Sequence, residues 1–107
     1  QGFSKIVRKE EYIVYGSDRC SYCHRARILL EHYEYNYRYI DVAESAEVQQ
    51  EFYKKTKNAK TVPQIYYYDP VRSYGNENLE WRIGGFDELV VWLKEKRKYQ
   101  LDKDPKV

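Results

Sequence analysis

The hydrophobic period of this chain switches between strand type and helix type in a fixed order. That order limits the possible folds more than any single motif does. Residues Tyr12–Tyr15 ("YIVY") are a short apolar run of strand type, closed by Gly16. Ala26, Leu29, Leu30 and Tyr33 follow at helical spacing and form one buried stripe, with Arg25, Arg27 and Glu31 off it. "YNYRYIDV" (Tyr35–Val42) alternates and reads as a second strand. Ser45 suits the N-cap of a helix from Ala46 to about Lys57, with Val48 and Phe52 facing inward. "TVPQIYYYD" is a third strand entered through Pro63, and "LEWRI" (Leu79–Ile83) a fourth. Between them "DPVRSYGNEN" carries the Pro, Gly and Asn of an extended hairpin loop. After Gly84 and Gly85, residues Phe86, Leu89, Val90 and Leu93 repeat at helical spacing. Asp87 and Glu88 stand in the first turn, where acids suit the helix dipole. The mixed-charge tail, residues 98–107 above all, is expected to fray.

The element order is therefore β-α-β-α-β-β-α. A β-α-β unit favours parallel pairing through a right-handed crossover, and the last two strands favour an antiparallel hairpin. The expected architecture is α/β: a central four-stranded mixed sheet flanked by three or more helices on both faces, with an extended loop between the last two strands. This is the thioredoxin fold. A length of 107 residues fits a single domain over 1–107. The longest apolar runs are only a few residues, so no membrane span is expected. The start, "QGFSKIVRKEEY", lacks the apolar stretch of a secretory leader. A cytoplasmic monomer is the expectation. Gln1 and Gly2 resemble the scar of a tag cleavage and are set aside. Nineteen basic and seventeen acidic side chains leave a formal charge of +2, too balanced to imply nucleic acid. The thirteen tyrosines read as strand-filling residues; an RNA-stacking surface would need a stronger basic face.

Both cysteines, Cys20 and Cys23, fall in "GSDRCSYCHRARILLEHY", between the first strand and the first helix. A C-x-x-C at such a junction reads as a redox motif. A thiol attacks as its thiolate, and unpaired N–H groups at a helix start favour negative charge. Cys20, just ahead of the helix and beside Arg19, is expected to be the exposed nucleophile with a lowered pKa. Cys23, one turn further in, can close a disulfide on it. Two other readings stay open. The pair could be half of a zinc knuckle completed by His24 or His32, although a second C-x-x-C is missing and His24 adjoins Cys23. The two cysteines could also be inert. His24 and His32 otherwise read as helix-surface residues.

The sequence resembles the glutaredoxins. "CSYC" is similar to that family's C-[PS]-Y-C, "TVPQI" (Thr61–Ile65) to its T-V-P segment, and "IGGFDEL" (Ile83–Leu89) to its glycine-pair segment. The three occur in order, within a likeness running from about Tyr12 to Lys96. The resemblance implies a glutathione-dependent thiol–disulfide oxidoreductase with glutathione as reductant. Its partners would be disulfide-containing or glutathionylated proteins, and ribonucleotide reductase is a common client of the family. Carried over by position, Cys20 matches the nucleophile and Cys23 the resolving cysteine. Tyr22 lines the glutathione groove. Thr61, Val62 and Pro63 form the segment that pairs with the tripeptide, Pro63 following a cis bond in the family. Gly85, Phe86 and Asp87 hold the γ-glutamyl end, and Asp87 or Glu88 takes its ammonium. Gln50 and Lys60 fall near the glycyl carboxylate. The chain departs from the family in three places: Ser17 replaces a common basic residue, Ser21 a common proline, and the loop before Leu79 is longer than a tight hairpin. Ser21 and Arg19 are candidate tuners of the thiolate. In related proteins a serine at the position of Ser21 sometimes accompanies a [2Fe–2S] cluster shared by two subunits. A cluster-binding dimer with Cys20 as ligand is therefore the alternative function.

Overall fold

The structure, a computed structural model, describes residues 10–69 and 80–103, with side chains as far as residue 97. Apart from Asp69, the expected hairpin loop lies outside the described residues, as do Gln1, Gly2 and residues 104–107. The elements in chain order are β1 (Glu11–Gly16), α1 (Ser21–His32), β2 (Tyr37–Asp41), α2 (Ala46–Thr56), β3 (Gln64–Tyr68), β4 (Glu80–Gly84) and α3 (Phe86–Lys103). The sheet runs β2-β1-β3-β4. β1 is parallel to β2 and antiparallel to β3, and β3 is antiparallel to β4.

Strand alternation assigns the two faces. Tyr12 and Val14 of β1 and Ile65 and Tyr67 of β3 share one face. There they form the main core with Ala26 and Leu30 of α1 and Leu89 and Leu93 of α3. Each fully buried leucine contributes about 1.5–3 kcal/mol relative to an exposed one. Ile13, Tyr15 and Tyr66 point to the other face. Phe52 of α2 covers it there, its ring 5.6 Å from that of Tyr15. Helices thus cover both faces, as the period-switching pattern implies.

Two boundaries differ from the sequence expectation. β2 starts at Tyr37, not Tyr35. The amides of Glu34 and Tyr35 donate to the carbonyls of Glu31 and Leu30, so these residues close α1. The tail from Lys94 continues as helix to Lys103. Its Lys, Glu, Arg, Gln and Leu are strong helix formers, and no Gly or Pro interrupts them before Pro105. Lys96 also anchors this helix to the sheet, its Nζ 3.1 Å from Glu10 Oε1 and 3.3 Å from the Tyr67 hydroxyl.

α2 ends without glycine. Lys57 caps it in the left-handed region at φ 59°, and Asn58 follows at φ 67°. Buried Thr56 secures this exit: its hydroxyl donates to the Phe52 carbonyl at 2.8 Å and accepts from the Ala59 amide at 3.0 Å.

Candidate active site

α1 begins where β1 ends, and the turn between them sets the cysteine pair. Gly16 closes β1, and the Cys20 amide donates to the Ser17 carbonyl at 3.2 Å. Exposed His24 reaches back over this turn, its Nε2 donating to the Asp18 carbonyl at 3.0 Å. Cys20 is the N-cap of α1, with an extended backbone, and its Sγ accepts the Cys23 amide proton at 3.1 Å. An N-cap side chain that takes an orphan N–H is ordinarily a Ser, Thr, Asp or Asn oxygen. Here it is a sulfur, and the same bond strengthens when that sulfur is ionised. Cys20 is half-buried, whereas Cys23 is fully buried. The two are joined in a disulfide, their Cα atoms 5.2 Å apart, well inside the bridging range.

The buried half of the pair has a close neighbour. A Cβ at Gly16 would stand 2.7 Å from Cys23 Sγ and 2.9 Å from the Tyr39 hydroxyl. Gly16 is therefore glycine because Cys23 packs against its backbone. The Tyr39 hydroxyl is itself buried without a hydrogen-bond partner, its ring 4.3 Å beneath the Arg27 guanidinium. Burial raises the Tyr39 pKa above its ordinary value, with Arg27 opposing.

Beside Cys20 lies a cleft of about 260 Å³, lined by Tyr22, Thr61, Val62, Pro63, Gly85, Phe86, Asp87 and Glu88. Three separate stretches build it. From α1 comes Tyr22, its ring 5.8 Å from that of Phe86 and 5.1 Å from the Arg25 guanidinium. From the entry to β3 comes Thr61–Pro63, with a cis Val62–Pro63 bond and the Val62 carbonyl oxygen 3.5 Å from Cys20 Sγ. From the β4–α3 junction comes Gly85–Glu88. A bulge in β4 precedes that junction: Ile65 faces Gly84 while Tyr66 faces Arg82. Gly84 then takes φ +122°, open to glycine at little cost. The start of α3 is capped by its own Glu88, whose Oε1 accepts the Gly85 amide at 2.9 Å. This is the carboxylate half of a capping box, with glycine where Ser or Thr usually stands. Helix geometry leaves the N–H groups of Phe86 and Asp87 without intrahelical partners, at the rim of the cleft.

The glutaredoxin family profile matches residues 12–69, more than half of the chain. The chain belongs to the glutaredoxin family. Glutaredoxin 1 of Escherichia coli K12 is 27% identical over 89 residues, covering 78% of this chain and 92% of that protein. The solution structure of reduced E. coli glutaredoxin superposes with a TM-score of 0.60 at 26% identity, covering 82% of this chain and 98% of the other. A buckwheat glutaredoxin, solved as its complex with glutathione, shares the fold with a TM-score of 0.56 at 20% identity, over 88% of this chain and 77% of the other. The thioredoxin-type sheet and the C-x-x-C pair thus belong to a family of thiol–disulfide oxidoreductases.

In this glutaredoxin the fold gathers most of the residues that the sequence resemblance singled out. Cys20, Cys23, Tyr22, Thr61, Val62, Pro63, Gly85, Phe86, Asp87 and Glu88 form one continuous corner. Gln50 on α2 and Lys60 before Thr61 are exposed and are not among the residues lining the cleft. Arg19 and Ser21 flank Cys20 and are exposed. Capping falls to Glu88 and not to Asp87, because position three of a helix can reach back to the cap amide. Both carboxylates are exposed, and Asp87 takes no part in that capping bond. Gly85 needs no special backbone, since a Cβ there would meet Glu88 Oε1 at 3.4 Å and the Pro63 carbonyl at 3.6 Å, ordinary contacts. Gly16, Arg25 and Tyr39 escaped the sequence reading. A lone Gly after a strand and a Tyr in a strand carry no signal of their own. Among the described residues no group of three or more His, Cys, Asp and Glu side chains is placed to hold a metal ion. That bears on a zinc knuckle; a cluster bridged between chains would take a single cysteine from each.

Proposed function

We propose that this protein is a glutathione-dependent disulfide oxidoreductase, acting on glutathione mixed disulfides and on protein disulfides. The observation that carries the reading is the cleft between Thr61–Pro63 and Gly85–Glu88, which opens beside the half-buried sulfur of Cys20. Glutathione is a short peptide with two carboxylates and one ammonium. The extended backbone at Val62 suits pairing with its main chain. The free N–H groups of Phe86 and Asp87 suit its γ-glutamyl carboxylate, as helix starts suit anions generally. The Asp87 carboxylate suits the ammonium, and Tyr22 and Phe86 wall the cysteinyl sulfur. Lys60 and Gln50 are assigned to the glycyl carboxylate on the strength of the family resemblance alone. The buckwheat relative solved with glutathione supports the same ligand.

The Cys20 thiolate attacks the glutathionyl sulfur of a mixed disulfide. That S–S bond breaks, the target sulfur leaves with the electron pair and takes a proton, and Cys20 is left glutathionylated. A second glutathione thiolate attacks the glutathionyl sulfur, releasing Cys20 thiolate and glutathione disulfide. On a protein disulfide, Cys20 forms a mixed disulfide with the substrate. Cys23 then attacks the Cys20 sulfur, giving the Cys20–Cys23 bond and the reduced substrate. Two glutathiones restore the dithiol and leave as one glutathione disulfide. Glutaredoxins poise at about −200 to −230 mV, close to the glutathione pool, so this last exchange runs in either direction. The same proposal places the protein in the cytoplasm as a monomer, with ribonucleotide reductase as one client among protein disulfides.

A glutathione-reductase-coupled assay on the wild type and the two single variants tests the reading. Cys20→Ser is expected to abolish turnover of both substrate classes. Cys23→Ser is expected to keep activity on a glutathione mixed disulfide and lose it on a protein disulfide. Turnover that does not depend on glutathione, or Cys23→Ser inactive in both assays, would overturn the proposal.

A further inference from the structure

The buried side of the cysteine pair holds a polar group that the chemistry above leaves unused. Gly16 of β1, Tyr39 of β2 and Cys23 of α1 meet there. Tyr39 is the register partner of Val14, so it shares the face of the sheet that carries Tyr12 and Val14 and lies under α1. Its hydroxyl is buried and has no hydrogen-bond partner among the described residues. Cys23 is fully buried beside it. The point that a Cβ of Gly16 would occupy lies 2.7 Å from Cys23 Sγ and 2.9 Å from the Tyr39 oxygen. Sulfur and hydroxyl therefore flank one small space, open because Gly16 has no side chain. One turn beyond Cys23 on α1, the Arg27 guanidinium lies 4.3 Å over the Tyr39 ring. Two residues of the same helix face thus hold Tyr39, one against its ring and one against its hydroxyl.

Buried hydroxyls are nearly always paired, and an unpaired one next to a redox centre calls for a reason. Here the available partner changes with the state of Cys23. In the disulfide its sulfur is an uncharged, weak acceptor. Reduction breaks the Cys20–Cys23 bond, takes up two electrons and two protons, and frees the Cys23 sulfur to turn toward the hydroxyl. When that sulfur next attacks, it must do so as a thiolate, which is a charge-assisted acceptor. Burial opposes the charge, and the carboxylates of Asp41 and Asp18, whose fields reach Tyr39, oppose it too. A neutral O–H donor at this sulfur works the other way. The Arg27 cation over the ring draws on its electrons and makes the hydroxyl a better donor.

We propose that the Tyr39 hydroxyl serves the resolving cysteine, donating a hydrogen bond to the Cys23 sulfur in the reduced protein and as that sulfur attacks Cys20. In that attack the Cys23 thiol gives up its proton, and its sulfur bonds to Cys20 Sγ. The bond from Cys20 to the substrate breaks, and the substrate sulfur leaves with the electron pair and takes a proton. Tyr39 keeps its own proton throughout. The proposal rests on the Cys20–Cys23 cycle of the preceding subsection, but not on glutathione as its reductant. Tyr39→Phe, which removes only the hydroxyl, deletes the bond from the reduced form and the unpaired group from the disulfide form. Reduced wild type and disulfide-form Tyr39→Phe, mixed without oxygen and with a trace of dithiothreitol as shuttle, exchange to equilibrium. Alkylation and mass spectrometry then count which protein holds the disulfide, and the reverse mixture confirms the end point. The disulfide is expected to favour the variant about fivefold to tenfold, a potential about 20–30 mV lower than that of the wild type. Urea unfolding of the two redox forms separates this from a structural effect: Tyr39→Phe is expected to weaken the reduced form and to leave the disulfide form unharmed. Equal partition of the disulfide, a preference for the wild type, or equal loss of stability in both forms would each overturn the proposal. None of these readings uses glutathione, so a protein that turns over without it would strike the proposed function and leave this test standing.

Discussion

Gly16→Ala is the sharpest structural test of how the cysteine pair is seated. The φ of Gly16 lies outside the left-handed region, so alanine meets no backbone penalty, and the whole effect is steric. The new methyl would stand 2.7 Å from Cys23 Sγ, 3.0 Å from Cys23 Cβ and 2.9 Å from the Tyr39 hydroxyl. None of these is the free end of a flexible side chain. Cys23 is fully buried in α1 and bridged to Cys20, and the Tyr39 ring is covered by Arg27. Overpacking of this kind costs about 1–3 kcal/mol. Reduced entropy of the unfolded chain returns about 0.4–1 kcal/mol. A net loss of roughly 1–2 kcal/mol corresponds to a fall in Tm of about 4–16 °C for a domain of this size. Urea unfolding of wild type, Gly16→Ala, Tyr39→Phe and the double variant measures it as a cycle. Tyr39→Phe alone deletes an unpartnered hydroxyl and is expected to be neutral or slightly stabilising. In the double variant it removes one of the close contacts, so a favourable coupling of about 0.5–1 kcal/mol is expected. An alanine variant as stable as the wild type, or a cycle with no coupling, refutes this account of Gly16.

Two further outcomes follow from buried polar groups. Thr56→Val keeps the shape but leaves the Ala59 amide without its acceptor, and a loss of about 1–3 kcal/mol in urea unfolding is expected. Burial first, then neighbouring carboxylates, raises Tyr67 well above the ordinary tyrosine range; burial raises Tyr12 likewise, with the Trp92 hydrogen bond opposing. Below about pH 10 both folded and unfolded chains keep these protons. Above it the unfolded chain loses them first and binds fewer protons than the folded one, so stability falls as pH rises. The urea midpoint is expected to drop progressively above about pH 10. Tyr67→Phe and Tyr12→Phe should each flatten that drop, and a midpoint flat through this range would contradict the burial assignment.

Much of this molecule could be read before folding it. Period-two and period-3.6 patterns marked every described element, since Tyr12, Val14, Ile65 and Tyr67 must share a face if their strands pair at all. The cysteine corner was legible because its three motifs sit at element ends, where spacing translates directly into position. What escaped depends on contacts distant in sequence or on choices that local preference does not decide. The cis form before Pro63 runs against the intrinsic preference for trans, so it was foreseen through the family resemblance and not from the residues themselves. The end of α2 near Lys57 was legible, but its left-handed cap was not, because Lys57 and Asn58 stand there in place of the glycine that would have announced it. Gly16 is explained only by Cys23 and Tyr39, which reach it from α1 and β2. The Arg82–Gln64 contact joins residues 18 apart, and neither residue advertises it. Gln50 and Lys60 were placed by resemblance, and the residues that line the cleft do not include them.

The account rests on Cys20 serving as an ionised nucleophile because it caps α1 and receives the Cys23 amide proton. The most direct measurement is the rate of iodoacetamide alkylation of Cys20 against pH, in the reduced Cys23→Ser variant, which leaves a single thiol. The account expects an inflection clearly below that of a cysteine in an unstructured peptide, about pH 8.5. An inflection at or above the peptide value would contradict it.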